Sequence, residues 1–168
     1  MSLVVLLGGA RSGKSSLALR LAAEPGEAVT YLATGEAGDD EMAARIAAHR
    51  EERPAAWTTI EEPLELTAAI ESVAPAETLV VDCLSLWVAN LLERVDADAI
   101  DRASRAAAGV AAVRLGLTLA VSNEVGLGVV PATPLGRAYR DVLGRVNEVW
   151  VEASSRALFV VAGRAIEL

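Results

Sequence analysis

One stretch near the start of the chain, Gly8 to Ser15, constrains the fold more than any other. It reads GGARSGKS, fits the pattern G-x-x-x-x-G-K-[ST] at every required position, and follows the apolar run LVVLL of residues 3–7. Glycines let the backbone curl so that successive N–H groups converge on phosphate oxygens, and a helix N-terminus adds partial positive charge. The segment therefore predicts a strand, a phosphate-binding loop and a helix in that order.

Two side chains of this loop have chemistry of their own. In a loop of this kind the Lys14 ammonium reaches the β- and γ-phosphates of ATP or GTP, and the Ser15 hydroxyl is a ligand of Mg²⁺. A carboxylate at the end of another buried strand completes such a magnesium site, and Asp82 ends the run TLVVD of residues 78–82. Asp82 could instead cap the helix that follows it. We favour the metal-binding role, because the chain already carries a phosphate loop.

Apolar runs alternate with helical patterns along the chain. Strands are predicted at 3–7, 28–33, 57–60, 78–82, 117–122, 157–161 and 165–167, and helices at 14–23, 39–52, 63–73, 84–93, 97–114 and 135–154. This alternation predicts one α/β domain over residues 1–168, a P-loop NTPase-like (RecA-like) fold of three layers with a mostly parallel central sheet. Ligands of such sheets bind at the carboxyl ends of the strands, where the phosphate loop and Asp82 lie.

Composition narrows the class of protein. No apolar run approaches the roughly 18 to 20 residues that span a membrane, so we expect a cytoplasmic protein without a membrane span. The net charge of −8 argues against a nucleic-acid binder, which usually has a basic surface. Cys83 is the only cysteine, so no internal disulfide can form. Trp57, Trp87 and Trp150 are predicted to belong to the core rather than to a ligand site.

The only histidine, His49, lies in the predicted helix 39–52. It follows helical spacing with Met42, Ile46 and Arg53, which places these side chains on one face. The basic residues that would attract an anionic nucleotide are Arg11, Lys14, Arg45, His49, Arg50 and Arg53. From spacing alone His49 is either a nucleophile that attacks a nucleotide phosphorus or a surface histidine without a role.

Two further segments end at the same edge of the predicted sheet. Thr34, after the strand 28–33, is either a ligand contact or part of an ordinary turn. Asn123 and Glu124, after the strand 117–122, either orient an acceptor hydroxyl or cap a turn. The sequence leaves these alternatives open.

Together these motifs resemble the bifunctional adenosylcobinamide kinase / adenosylcobinamide-phosphate guanylyltransferase family of cobalamin biosynthesis, over nearly the whole chain. The matching segments are GGARSGKS (8–15), YLATGEAGDDEMAARIAAHREERPAAWTTIEEP (31–63), VVDCLSLWVANLL (80–92), VSNEVGLGVVP (121–131), YRDVLGRVNE (139–148) and VVAG (160–163). The phosphate loop is common to many families. Its combination with DDEM…RI..HR..RP..W.T.E.P and SNEVG.G.VP is highly specific.

The resemblance implies two reactions. ATP or GTP phosphorylates the terminal hydroxyl of the aminopropanol arm of adenosylcobinamide. GTP then guanylylates an enzyme histidine with release of pyrophosphate, and the GMP passes to the phosphorylated cobinamide to give adenosylcobinamide-GDP. The family's histidine falls on His49. The resemblance also implies Mg²⁺ as cofactor and assembly as a homotrimer.

The family's site residues carry over to this sequence by position. Catalytic roles fall on His49 and Lys14, and metal binding falls on Ser15 and Asp82. Nucleotide contacts are implied for Gly8, Gly9, Ala10, Arg11, Ser12, Gly13, Lys14, Ser15, Ala33, Thr34, Gly35, Arg50, Glu51, Glu52, Arg53, Glu61 and Asp82. Physically, Arg53 would pair with a phosphate, and Glu61 would accept hydrogen bonds from guanine or ribose.

Two other functions compete with this interpretation. A P-loop kinase of another small alcohol would share the phosphate loop but would give His49 no task. An ATP-binding module or a GTP switch would act on a partner through a conformational change. A GTP switch is expected to carry a guanine-specificity motif such as N-K-x-D, which this sequence lacks.

Overall fold

The computed structural model describes residues 3–51 and 53–168, apart from the side chains of Glu41 and Arg45. The order of elements is β1 (Leu3–Leu7), α1 (Lys14–Ala23), β2 (Val29–Ala33), α2 (Asp40–Glu51), β3 (Thr58–Glu61), α3 (Leu66–Ser72), β4 (Thr78–Asp82), α4 (Leu84–Leu92), α5 (Ala97–Val113), β5 (Thr118–Val121), α6 (Pro134–Ala153), β6 (Arg156–Val161) and β7 (Arg164–Glu167). The predicted strands and helices are confirmed, and most of their ends differ by one residue.

The largest difference from the predicted elements is the start of α3. The sequence predicted a helix from Pro63, whereas α3 begins at Leu66. The Glu62 carboxylate accepts hydrogen bonds from the backbone N–H groups of Leu64, at 2.9 Å, and Glu65, at 3.0 Å. This side chain therefore holds a turn in front of the helix, as acidic side chains commonly do at such positions.

The described strands form one seven-stranded sheet in the order β3-β2-β4-β5-β1-β6-β7. Every pairing is parallel except that of β6 with β7, which is antiparallel. The mostly parallel sheet is thus confirmed. Its central strands are almost continuously apolar because helices cover both of their faces.

The helices divide into two layers. On one face α3, α4, α5 and α6 bury the larger apolar cluster, in which Trp87 and Trp150 are almost fully enclosed. On the other face α1 packs Ala18 and Ala22 against β2, β4, β5 and β6, with Trp57 at the margin. The three-layer α/β fold is therefore confirmed. None of the described helices is long and apolar enough to cross a membrane.

A buried arginine closes the carboxyl end of α3. The Arg114 guanidinium donates to four backbone carbonyl oxygens, those of Ile70 (3.3 Å), Val73 (2.9 Å), Ala74 (2.9 Å) and Glu77 (2.8 Å). The last carbonyls of a helix have no partners within it. Arg114 adds a donor for Ile70 in the last turn of α3 and for three carbonyls beyond it, and so joins the end of α5 to the segment between α3 and β4.

Candidate nucleotide-binding site

The phosphate loop between β1 and α1 has a backbone that depends on glycine. Gly8 has φ +151° and Gly13 has φ +99°, which side-chain-bearing residues rarely adopt. A Cβ atom on Gly8 would lie 2.3 Å from the carbonyl oxygen of Val160 in β6. The N–H of Gly163, in the turn between β6 and β7, donates to the Ser12 carbonyl at 2.8 Å. The loop is therefore held in shape by the neighbouring strand and turn.

Lys14, at the start of α1, folds its ammonium back over this loop. Its Nζ donates to the carbonyl oxygen of Gly9 at 2.7 Å and to the Ser12 hydroxyl at 3.5 Å. Burial lowers the pKa of Lys14, and the nearby Cys83 and Asp82 act in the opposite direction. The loop thus holds a buried cation against the carbonyl of Gly9 and the hydroxyl of Ser12.

A pocket of about 380 Å³ opens at the carboxyl ends of the parallel strands. It is lined by Ala10, Arg11, Ser12, Gly13, Lys14, Ser15, Ser16, Tyr31, Ala33, Gly35, Met42, Ile46, His49, Arg53, Glu61, Asp82, Cys83, Leu86, Val121 and Asn123. Lys14, His49 and Asp82, which the sequence places far apart, therefore meet in one pocket.

One face of α2 forms a wall of this pocket. Met42, Ile46 and His49, which helical spacing placed on one face, all line it. Arg53, predicted to share that face, also lines the pocket but lies beyond the end of α2 at Glu51. The helix begins where the Asp39 carboxylate accepts a hydrogen bond from the Met42 N–H at 2.7 Å, which satisfies a free donor of the first turn. His49 is half-buried there and is directed to the same space as the phosphate loop.

The side chain of Thr34 does not line the pocket but joins two strands of the sheet. It is fully buried, and its hydroxyl donates to the Cys83 carbonyl at 2.7 Å and accepts from the Cys83 N–H at 2.9 Å. The two hydrogen bonds join the end of β2 to the end of β4. Its neighbours Ala33 and Gly35 do line the pocket, so this segment reaches the site through them.

Not all of the charged residues on and after α2 that were predicted to contact the nucleotide line the main pocket. Arg50 pairs with Glu61, and both line a neighbouring groove of about 520 Å³, while Glu61 also borders the main pocket. Glu51 is exposed and lines neither. Glu52 lies outside the described residues. Trp57, predicted to belong to the core, is only partly buried and lines the groove.

The segment after β5 meets the phosphate loop. Asn123 lines the pocket, and its side-chain amide donates to the Ser85 hydroxyl at 3.1 Å. The Glu124 carboxylate accepts from the Gly126 N–H at 2.6 Å, so it caps a turn, and the Glu124 N–H donates to the Gly8 carbonyl at 3.0 Å. Of the two alternatives for Glu124, the structure shows the turn cap.

Tyr31 is a pocket residue that sequence reasoning missed. Its hydroxyl donates to Asp82 Oδ2 at 2.5 Å, and the Arg53 guanidinium carbon lies 3.8 Å from the centre of its ring. Burial, followed by the charge of Asp82, raises the pKa of Tyr31 well above its ordinary value. A period of two along β2 places Tyr31 on the same face as Ala33, which was the one available signal.

The residues at the pocket fit a magnesium ion shared with a nucleotide. Ser15 and Asp82 both line the pocket beside Lys14. Tyr31 occupies one Asp82 oxygen, and no described residue donates to the other. No group of three or more His, Cys, Asp or Glu side chains among the described residues could hold a metal by itself. Mg²⁺ suits such a site, because it commonly takes one or two protein ligands and completes its shell with phosphate oxygens and water.

Comparison with known proteins decides which family has this site. The profile of the family described as "Cobinamide kinase / cobinamide phosphate guanyltransferase" matches residues 4–168. The chain belongs to this family. The match to the cobinamide kinase / guanyltransferase family includes the phosphate loop, α2 and the segment after β5, which together build the pocket.

The sequences of individual relatives align with this chain over nearly their full length. The chain is 50% identical over 165 residues to the bifunctional adenosylcobalamin biosynthesis protein CobP of Pseudomonas aeruginosa, covering 98% of this chain and 95% of that one. It is 36% identical over 180 residues to the bifunctional adenosylcobalamin biosynthesis proteins CobU of Escherichia coli and of Salmonella typhimurium, covering 99% of each chain. The chain is therefore similar to these members of the cobinamide kinase / guanyltransferase family from end to end.

Proposed function

We propose that this protein phosphorylates adenosylcobinamide with ATP or GTP and then transfers GMP from GTP to the product. One observation carries the proposal: the phosphate-loop Lys14, the carboxylate of Asp82 and the imidazole of His49 line the same pocket. A kinase needs the first two groups and a covalent guanylyltransferase needs the third as well. Family membership and the bifunctional relatives support both activities.

In the first reaction the terminal hydroxyl of the corrinoid's aminopropanol arm attacks the γ-phosphorus of the nucleotide. The bond from that phosphorus to the bridging oxygen breaks, the nucleoside diphosphate leaves, and the hydroxyl proton passes to water. Such a transfer needs positioning and charge neutralisation more than acid–base chemistry. Lys14 and the N–H groups of the loop provide both. Mg²⁺ held by Ser15 and Asp82 would neutralise further charge on the phosphates.

In the second reaction an imidazole nitrogen of His49 attacks the α-phosphorus of GTP. The bond to the bridging oxygen breaks, pyrophosphate leaves, and a phosphorus–nitrogen bond holds GMP on the enzyme. A phosphate oxygen of adenosylcobinamide phosphate then attacks the same phosphorus. The phosphorus–nitrogen bond breaks, adenosylcobinamide-GDP forms and His49 is free again. Arg53, which lines the pocket with His49, would offset the charge that develops on the phosphate.

Covalent labelling tests the second reaction directly. Protein incubated with Mg²⁺ and GTP labelled at the α-phosphate should acquire label that acid removes and alkali leaves, because a protonated imidazole is a good leaving group. His49→Ala should remain unlabelled. Ala47→Ser, at an exposed position on the same helix, is the matched control and should label like the wild type.

The same variants separate the two halves of the proposal. His49→Ala should still convert adenosylcobinamide to its phosphate with ATP, because the phosphate loop is unchanged. Folded wild-type protein that binds GTP but acquires no label would remove the guanylyltransferase half and leave a P-loop kinase. Wild-type protein that labels but does not phosphorylate adenosylcobinamide would remove the kinase half.

We also propose that the protein is a cytoplasmic homotrimer, as the resemblance to the family implies. Sedimentation equilibrium should give three times the mass of one chain, which is 17.5 kDa. Cell fractionation should recover the protein with cytoplasmic enzymes. A monomer or dimer at micromolar concentration, or recovery with the membranes, would contradict the corresponding part.

A further inference from the structure

We infer that Tyr31 is a positioning residue: its hydroxyl orients the Asp82 carboxylate toward Mg²⁺, and its ring holds the Arg53 guanidinium toward the nucleotide phosphates. The inference rests on the proposed function, because Asp82 and Arg53 need such orientation only if a magnesium–nucleotide complex binds in this pocket. Tyr31 itself need not touch the reacting atoms.

The first part of the inference, that the Tyr31 hydroxyl orients Asp82 (the hydroxyl half), follows from the register of two neighbouring strands. In the pairing of β2 with β4, Ala33 lies opposite Asp82 and Tyr31 lies opposite Val80. The Tyr31 side chain therefore reaches along the sheet to Asp82 from two residues before it, and the O···O distance is 2.5 Å. Short hydrogen bonds from a hydroxyl to a carboxylate are among the stronger ones in proteins. This bond occupies Oδ2, and no described residue donates to Oδ1 of this pocket-lining carboxylate, so Oδ1 is free to bind the metal.

The second part, that the Tyr31 ring holds the Arg53 guanidinium (the ring half), follows from the surroundings of Arg53. The guanidinium carbon lies 3.8 Å from the ring centre of Tyr31, well within cation–π range. Its Nε is shielded from solvent and has no hydrogen-bond partner among the described residues, while Nη1 reaches the Thr59 hydroxyl only at 3.5 Å. The Tyr31 ring therefore covers one face of the guanidinium, beside its long hydrogen bond to Thr59, and other N–H groups remain available to a phosphate.

A simpler explanation is that Tyr31 only fills space. It is 3% exposed and belongs to the apolar cluster under α1. That explanation predicts that Phe replaces Tyr31 without any specific effect on magnesium. The positioning role predicts a specific effect, so the two can be told apart.

Tyr31→Phe is the first test, because it keeps the ring and removes only the hydroxyl. GTP binding is measured by calorimetry over a Mg²⁺ series and in EDTA. We expect the Mg²⁺ concentration at half-effect to rise roughly tenfold, as for loss of a hydrogen bond to a charged group, and the affinity in EDTA to stay unchanged. The matched control is Tyr139→Phe, which removes the other tyrosine hydroxyl, one that donates to the Ser85 carbonyl at 3.1 Å outside the pocket lining.

Tyr31→Leu tests the ring. It should weaken GTP binding in EDTA several-fold relative to Tyr31→Phe, since it also removes the stacked face. Arg53→Ala should weaken it by a similar factor while leaving the Mg²⁺ midpoint near the wild-type value. The double variant Tyr31→Leu/Arg53→Ala should be little worse than either alone. Equal affinity of the Leu and Phe variants in EDTA would overturn the ring half.

A measurement that keeps both the ring and the hydroxyl at position 31 covers the case in which these variants fold poorly. The chain has two tyrosines, so 3-fluorotyrosine labelling gives two fluorine resonances, and Tyr139→Phe assigns them. Mg²⁺ added to the GTP-bound protein should shift the Tyr31 resonance and leave that of Tyr139 in place. A Tyr31 resonance that does not shift when Mg²⁺ is added would contradict the role of the hydroxyl in orienting Asp82.

The outcomes also separate this inference from the proposed function. If GTP binding by the wild-type protein is indifferent to Mg²⁺, the metal-binding role of Asp82 fails and the inference fails with it. If GTP binding by the wild type depends on Mg²⁺ and Tyr31→Phe has the same Mg²⁺ concentration at half-effect, only the positioning role of the hydroxyl is contradicted.

Discussion

The side-chain amide of Asn90 donates a 2.8 Å hydrogen bond to the carbonyl oxygen of Thr34, and so ties α4 to the loop that follows β2. The same amide donates to the Pro63 carbonyl at 3.2 Å, in the segment that follows β3. One loop leads to the helix that carries His49, and the other follows Glu61. Asn90 therefore fixes the spacing of two pocket walls although it does not line the pocket.

Asn90→Leu keeps the approximate size of the side chain and removes both hydrogen bonds. We expect the free energy of unfolding to fall by about 1 to 3 kcal/mol, because two carbonyls lose a partner. We also expect roughly tenfold slower labelling of His49 by GTP, because the loop before α2 is less well held. Denaturant titration and the labelling assay measure the two effects.

Arg94→Met is the matched control for Asn90→Leu. Arg94 lies on the same stretch of chain and pairs with Glu36 of the same loop, but this ion pair is exposed. Exposed ion pairs contribute about 0 to 1 kcal/mol. Labelling at the wild-type rate in both variants would contradict the role given to Asn90.

Gly8 and Gly9 form a matched pair in the phosphate loop. Gly8→Ala should destabilise the fold by about 2 kcal/mol or more and abolish GTP binding, because its Cβ would overlap the Val160 carbonyl in a backbone conformation that favours glycine. A Cβ atom on Gly9 has no neighbouring atom within 4 Å, so Gly9→Ala should lower the stability of the fold only slightly. Thermal unfolding and GTP affinity should be measured for both. Similar losses in the two variants would show that the contact with β6 is not the cause.

Arg114 should matter for stability and not for catalysis. Arg114→Met removes four hydrogen bonds to backbone carbonyls, of which those of Ile70 and Ala74 keep a backbone donor. We expect a loss of about 3 kcal/mol in the free energy of unfolding. Arg105→Met removes an exposed pair with Asp101 and should cost less than about 1 kcal/mol. At a temperature where both variants are folded, their labelling rates should match that of the wild type. A labelling defect in folded Arg114→Met would contradict the prediction.

Cys83 should make stability depend on alkaline pH. Burial raises the pKa of its thiol from 9.0 to about 11. Between these values the unfolded thiol loses its proton while the folded one keeps it, so the folded state binds more protons and stability falls as pH rises. Over the full window this amounts to at most about 3 kcal/mol.

The Cys83 prediction is measured as a difference from Cys83→Ser, because other groups also titrate in this range. Denaturant titrations at pH 8 and near pH 10.5 should show a steeper loss for the wild type than for the variant. Parallel pH profiles would mean that the folded thiol ionises as readily as an exposed one.

The sheet and the phosphate loop could be predicted because local signals specify them. Short runs such as LVVLL and TLVVD are typical of strands buried on both faces, and the loop pattern requires its glycines wherever it occurs. Parallel strands all end at one edge, which is why Asp82 and Lys14 could be expected to meet. The face of α2 that carries His49 followed from helical spacing.

The remaining contacts depend on register and on side-chain direction, which no single segment encodes. Tyr31 meets Asp82 because β2 and β4 pair with a particular offset, and Arg53 meets the Tyr31 ring only after α2 has ended. Thr34 was a candidate ligand contact by its place at a strand end, but its hydroxyl instead faces the backbone of Cys83. The four carbonyls that Arg114 joins come from the last turn of α3 and from the segment after it, whose path is set by packing.

The burial of Cys83 has a practical consequence for site-specific labelling. The only cysteine of the chain is buried at the wall of the pocket and carries a thiol that stays protonated near neutral pH, so maleimide reagents should modify it slowly. A cysteine introduced at an exposed position, such as Ala47 on α2, would then be the main reactive thiol without any change to the native one. Dyes or spin labels placed there would report how α2 responds to each substrate in an otherwise unaltered protein.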